Sequence, residues 1–281
     1  MQFSSFAASR GSHDAVAAFE QYVSGRRIIF GRASFFLESA EHLDDVRALA
    51  EPEDVIFAPA GAAPRVDPRI IRYEGALLEF GDEMLLDGGH TFELQDYLAA
   101  PFFPAVGLTI VRQGSAEGLA AFLRDADTAR ESGPFVEQAR TGTVLLESEA
   151  SFTGADPAAD SLVRVHVNAQ GECRDGPDGL LLGHVGDARA DIEAVAAEGA
   201  GRGRAFARIV DPRVLEADLD DRPWIERYVA TLDLLRKWDG TPPRSNEASR
   251  WRRSAAPEIR EHRGAPTAAG FDVFASRRGG A

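Results

Sequence analysis

Between Thr143 and Trp238 the apolar residues change their spacing once, and that change constrains the fold more than any other feature of the chain. Thr143–Glu147 (TVLLE), Leu162–Asn168 (LVRVHVN) and Gly179–Val185 (GLLLGHV) carry the short, β-branched or alternating runs of strands. From Asp187 onward the spacing becomes helical. Asp187 is placed to cap a helix carrying Ile192 and Val195 that stops at Gly199, and Asp211-Pro212 opens a second helix with Val214 and Leu215 inward. Asp221 opens a third, from Arg222 to about Trp238, with Trp224, Ile225, Tyr228, Val229, Leu232 and Leu235 on its apolar stripe and Arg236 and Lys237 in its last turn. Three strands followed by three helices is the winged-helix order, in which the third strand and third helix can flank a cleft.

The preceding residues mix the two periods. A helix is expected from Ser12 to Gly25, a strand over Arg27–Phe36, a helix from Ser39 through Leu43, Val46 and Leu49, and a strand at Asp54–Ala58, together a β-α-β unit. Ile70–Tyr73, Leu77–Phe80 and Met84–Leu86 follow at hairpin spacing, Thr91–Leu98 reads as a turn or two of helix, Val106–Arg112 as a strand, and Ser115 caps a helix carrying Leu119, Phe122, Leu123 and Ala126. The expected fold class is α+β: an N-terminal mixed α/β domain over 1–133, a winged-helix-like βββααα domain over 134–240, and a disordered basic tail over 241–281.

Charge supports that division. The chain has 31 basic and 45 acidic residues, but residues 241–281 hold eight arginines against four acids, so the tail is +4 and the body −18. Such a body repels nucleic acid. A winged-helix regulator would therefore need its arginine-rich tail for DNA contact. No apolar run is long enough to span a bilayer and the N-terminus lacks the order of a secretory signal, which points to a cytoplasmic protein without membrane attachment. Cys173 is the only cysteine, so no internal disulfide and no thiolate zinc site can form.

Motifs of catalysis are missing. The histidines at 13, 42, 90, 166, 184 and 262 show no HExxH pair, no Gly-x-Ser-x-Gly elbow occurs, and Gly199-Ala-Gly201-Arg-Gly203 follows a helix instead of a strand. No cofactor and no metal is expected. His166, His184 and Cys173 could meet through neighbouring strands as a Cys/His set, though a structural role is the plainer reading, and an enzyme site of unrecognised type would centre on His90, Glu93 and Asp96. The stronger expectation is binding. A peptide can add as a strand beside Leu180, Leu181, Leu182 and His184 and rest on the helical face of Trp224, Tyr228 and Leu232.

The order of elements over Thr143–Gly240 resembles the precursor-recognition domains of ribosomally synthesised and modified peptide (RiPP) pathways, the small winged-helix type related to the pyrroloquinoline quinone chaperone PqqD. LVRVHVNAQGECRDGPDGLLLGHVGD (Leu162–Asp187) and DRPWIERYVATLDLLRKW (Asp221–Trp238) are also similar to the recognition protein of daptide clusters. The resemblance implies a non-catalytic adaptor that pairs a precursor leader peptide with the third strand, packs it on the third helix, and presents it to a modifying enzyme such as an oxidative decarboxylase.

Overall fold

A computed structural model describes residues 15–61, 67–102, 107–153, 162–199 and 201–239. The expected Ser12 cap and the 241–281 tail lie outside them. Helix α1 (15–24) carries Phe19, Tyr22 and Val23 on its buried face and ends at Gly25, whose φ of 69° is the left-handed geometry of a glycine helix stop.

Among the described residues ten strands form one sheet. They are β1 (Ser34–Leu37), β2 (Val55–Pro59), β3 (Ile70–Gly75), β4 (Glu83–Leu86), β5 (His90–Asp96), β6 (Leu108–Arg112), β7 (Val144–Leu146), β8 (Arg164–Val167), β9 (Glu172–Arg174) and β10 (Leu181–His184), in the order β10-β9-β8-β1-β2-β3-β4-β5-β6-β7. Five neighbouring pairs are parallel and four antiparallel. The molecule is thus a mixed α/β protein, the α+β expectation in its coarser form.

The sheet curls around α1. Eight strands from β8 to β7, laid flat at ~4.8 Å spacing, would separate those two by more than 30 Å. Instead Arg164 at the start of β8 donates from Nη2 to Ser148 just beyond β7 at 2.9 Å, and from Nη1 to the Tyr22 and Val23 carbonyls of α1. Inside the curl Phe19 meets Phe36, Phe57 and Phe92 with ring centroids 4.5 to 6.4 Å apart, and Tyr73, Met84, Leu86, Leu94 and Ile110 complete the core.

Period-two alternation sends the other side chains of each strand outward. Phe35, Leu37, Ile56, Val165 and Val167 pack under α2 (Leu43–Leu49) and α5 (Arg189–Glu198). Val111, Val144 and Leu146 pack under α3 (Ala116–Ser132), α4 (Glu137–Arg140), α6 (Pro212–Asp220) and α7 (Ile225–Asp239).

The winged-helix-like domain expected over 134–240 does not form. Its first expected strand is β7, at one edge of the sheet, whereas β8, β9 and β10 make an antiparallel run that pairs with β1 of the N-terminal part. Its helices separate too, α5 joining one outer core and α6 and α7 the other. Strands on both sides of Gly133 share the sheet, through β6 with β7 and β1 with β8.

Smaller departures have local causes. Residues 27–33 are loop: the Gln21 side chain takes up the amides of Ile28 and Ile29, and Phe30 is 92% exposed. Thr91–Leu98 is no helix, because Phe92 and Leu94 alternate with polar residues and fill the strand period of β5. Leu77–Phe80 is a turn in which Asp82 accepts from the amides of Leu78 and Glu79. Asp187 does not cap α5, whose N-cap is Ala188; Val195 and Val214 face solvent, and Trp224 precedes α7 instead of lying within it.

Candidate functional site

Among the described residues β10 is the free edge of the sheet on its β8–β9 side. Leu182 is buried against α5 and Leu180 half-buried against the same core, while Leu181 is 37% exposed and His184 faces solvent. The backbone register decides what the edge can bind. Leu181 lies opposite Arg174, and the Asp175 amide donates to the Leu180 carbonyl at 3.0 Å. In an antiparallel pair that pattern turns Leu181's own N–H and C=O away from β9. His184, opposite Glu172 and followed by the Val185 amide bonded to the Gly171 carbonyl, has the same orientation.

The edge is partly guarded. The His184 amide already donates to Asp187 Oδ2 at 2.7 Å, and the Leu180 amide to the Arg204 carbonyl at 2.8 Å. The backbone register also breaks between Leu181 and Gly183, a bulge at a glycine with φ of 157° whose Cβ would lie 2.8 Å from Asp187 Oδ2. Between the guards, Leu181 presents a donor and an acceptor, the unit that an added strand pairs with.

The helical half of the expected groove lies elsewhere. Tyr228 and Leu232 are buried in the α3–α6–α7 core, Tyr228 stacking on Phe135 at 5.3 Å and meeting Phe122 edge-on. They are core residues, separated from β10 by belonging to a different cluster. Trp224 is half-buried and lines a cleft of about 320 Å³ between α3 and the α6–α7 connection, with Asp127, Arg130, Glu131, Asp218, Asp221 and Arg222. Its indole Nε1 donates to Asp127 at 3.2 Å, and the Arg130 guanidinium sits 3.6 Å over its ring.

The Cys/His set is not assembled. Cys173 packs with Val165 and Val167 on the outer face, His166 points inward to α1, and His184 is exposed. Burial, with Asp187 adding to it, pushes the Cys173 thiol up to about 12. His90, Glu93 and Asp96 sit on β5, where odd and even positions take opposite faces, so Glu93 is turned from the other two. Among the described residues no group of three or more His, Cys, Asp or Glu could hold a metal ion, and no helix is long and apolar enough to cross a membrane.

One polar layer escaped the sequence reading. All strands of the curl except β4 run the same way, and near their C-terminal ends Tyr22 Oη meets His166 Nδ1 at 2.7 Å while His166 Nε2 meets Glu38 Oε1 at 2.8 Å. Arg112, the last residue of β6, holds Glu147 through Nε and Nη2 at 2.6 and 3.0 Å. Burial, reinforced by Glu147, raises the Tyr22 hydroxyl well above its ordinary pKa; burial also raises Glu38, but the hydrogen bonds from His166 and the Ala169 amide help to outweigh it and the carboxyl lies below its ordinary value. This is where parallel strands commonly present catalytic groups. Here Tyr22, His166 and Glu38 form one hydrogen-bonded chain, and Arg112 and Glu147 a second pair. The signal was the polar residue ending the apolar runs, Glu38, Arg112 and Glu147, with His166 one residue before the end of β8, visible in the sequence only once the strands are known to be parallel.

Comparison with protein-family models, curated proteins and solved structures finds no match to this chain.

Proposed function

We infer that this protein is a non-catalytic recognition protein that binds an extended peptide by strand addition at β10, and that the peptide is the leader of a ribosomally made precursor presented to a modifying enzyme. The observation that carries the reading is the free edge at Leu181, whose N–H and C=O both point away from β9. A hydrogen-bonded residue pair at Leu181 supplies two backbone bonds, and the exposed Leu181 side chain gives the ligand an apolar contact. The resemblance of Leu162–Asp187 to precursor-recognition proteins falls on the β8–β9–β10 run, which supports the leader as ligand.

A labelled synthetic leader peptide is titrated against the native chain and against Leu181→Pro and Leu181→Asp. The proline removes the outward N–H without touching the buried face. Saturable binding weakened at least tenfold by both changes is expected, with the Leu181 amide gaining protection from hydrogen exchange. Absence of saturable binding, or binding indifferent to both substitutions, overturns the reading.

A further inference from the structure

The Trp224 cleft offers a second binding surface, independent of the β10 edge. Its walls carry four carboxylates and two guanidinium groups, for a net charge of −2. Asp127 is engaged by Trp224 Nε1 and by Arg222 Nε, while Arg222 Nη1 donates to the Asp218 carbonyl at 3.0 Å and reaches the Asp218 carboxylate only at 3.9 Å. Glu131 and Asp221 are exposed at its rim. The Arg130 guanidinium on the indole demonstrates that this ring accepts a planar cation on its face. An aromatic wall, spare carboxylates and a side-chain-sized volume suit an arginine-bearing segment that also contributes an aromatic ring.

Such a segment exists in the chain. Arg250-Trp251-Arg252-Arg253 follows the end of α7 by eleven to fourteen residues. Trp224 stands at the other end of α7, and fifteen helical residues span about 22 Å at ~1.5 Å each. A random coil of eleven to fourteen residues would have a root-mean-square reach of roughly 17–22 Å. Effective concentration is greatest when reach matches span. Arg244, five residues beyond Asp239, reaches at most ~18 Å even fully extended, so it falls short.

We propose that the Arg250–Arg253 segment docks in the Trp224 cleft of its own chain, its guanidinium groups on Glu131, Asp218 and Asp221. The contact is electrostatic and partly exposed, so salt weakens it. Its occupancy is released by any basic partner segment that competes for the same carboxylates.

Disulfide trapping in the full-length chain tests the contact, because buried Cys173 is silent as a background thiol. Cysteines replace exposed Ala217, beside Asp218 on α6, and Ser254, beside the arginines. The Ala217→Cys/Ser254→Cys chain is expected to close an intramolecular disulfide at least tenfold faster than the same chain with Arg250, Arg252 and Arg253 changed to glutamine, and 0.5 M salt is expected to erase the difference. Equal rates overturn the proposal, as does a disulfide that forms only between molecules. In a second measurement a fluorescein-labelled synthetic peptide of residues 246–257 is added to both full-length proteins. Binding at least tenfold tighter to the triple-glutamine chain, abolished by Glu131→Lys and Asp221→Lys together, is expected; equal binding to the two chains shows that the cleft is not filled in cis and overturns the proposal.

Discussion

Replacing Asp175 with asparagine removes the counter-charge of the most thoroughly buried arginine in the curl. Arg164 is 3% exposed and has five contacts: Nε to Asp175 Oδ1 at 3.1 Å, Nη1 to the Tyr22 and Val23 carbonyls, and Nη2 to Ser148 Oγ and, at 3.5 Å, the Asp175 carbonyl. Asp175 also meets Arg204 Nε at 2.6 Å, but Arg204 is 28% exposed at its side chain and water can compensate it. Removing one partner of a buried pair costs about 3–5 kcal/mol, because the remaining charge keeps its desolvation penalty. Asparagine retains an acceptor near Nε, so about 3 kcal/mol is the expected loss, a large share of the ~5–15 kcal/mol that holds a domain together. In urea, with a slope of about 2–3 kcal/mol per molar, the midpoint moves down by roughly 1 M or more.

The pH dependence of the same variant checks the cause. Burial raises the Asp175 pKa, but Arg164 and Arg204 outweigh it and the folded value lies below the ordinary one. An unfolded aspartate titrates near ~3.9, so the stabilisation is complete above that pH and is lost as pH falls through the folded value. The gap between native and Asp175→Asn chains is therefore constant near neutrality and narrows on acidification below about pH 4. A midpoint shift under ~0.5 M at pH 7, or a gap that does not narrow in acid, refutes the assignment of the loss to this buried pair.

Three other outcomes rest on the same packing. Phe19→Ala, at the fully buried centre of the aromatic core, is expected to cost about 3–5 kcal/mol in urea unfolding. Cys173 is expected to remain inert to a thiol reagent in the native chain at pH 8 and to react at once in 8 M urea, since it is fully buried and its thiol is pushed up to about 12. Leu181→Pro is expected to leave the unfolding free energy from urea titration within ~0.5 kcal/mol of native, because the lost amide makes no bond to β9; a larger loss would place that amide in the ladder after all.

Local chemistry was legible wherever the signal lay within a few residues. Ser115 and Gly133 bracket α3, Asp211-Pro212 opens α6, Gly25 ends α1, and the alternation of Leu162–Asn168 gives β8. Strand order was not legible, because it depends on pairings across 130 residues such as Phe36 with His166. Knowing β7, β8 and β10 as strands left open whether they form a small sheet together or extend a larger one, and both arrangements bury the same valines and leucines. Glu172–Arg174 escaped because three residues give no period, and Glu137–Arg140 because a single turn gives no stripe. Of the expected binding residues, Leu181 and His184 are exposed, Trp224 opens on a cleft, and Tyr228 and Leu232 are core; an apolar helical stripe reads identically whether another helix or a ligand covers it.

Leu162–Asp187 and Asp221–Trp238 end in different outer cores, yet the C-terminal turn of α1 touches both. On one side Arg164 of β8 grips the Tyr22 and Val23 carbonyls. On the other Arg26, two residues past α1, binds both Glu149 and Asp233 of α7, and Arg236 of α7 binds the same two carboxylates. Glu149 is buried, and burial raises its pKa in spite of both arginines, so it is held at a cost that only a fixed arrangement of Arg26 and Arg236 offsets. A shift of β8 relative to α1 would thus disturb the position of Arg26 and the seat of α7. The edge at β10 and the cleft at the head of α7 therefore stand on one frame. Arg164, the end of α1 and Glu149 thus connect the sheet beside β10 to α7 by direct contacts, without the shared groove that the order of elements alone suggested.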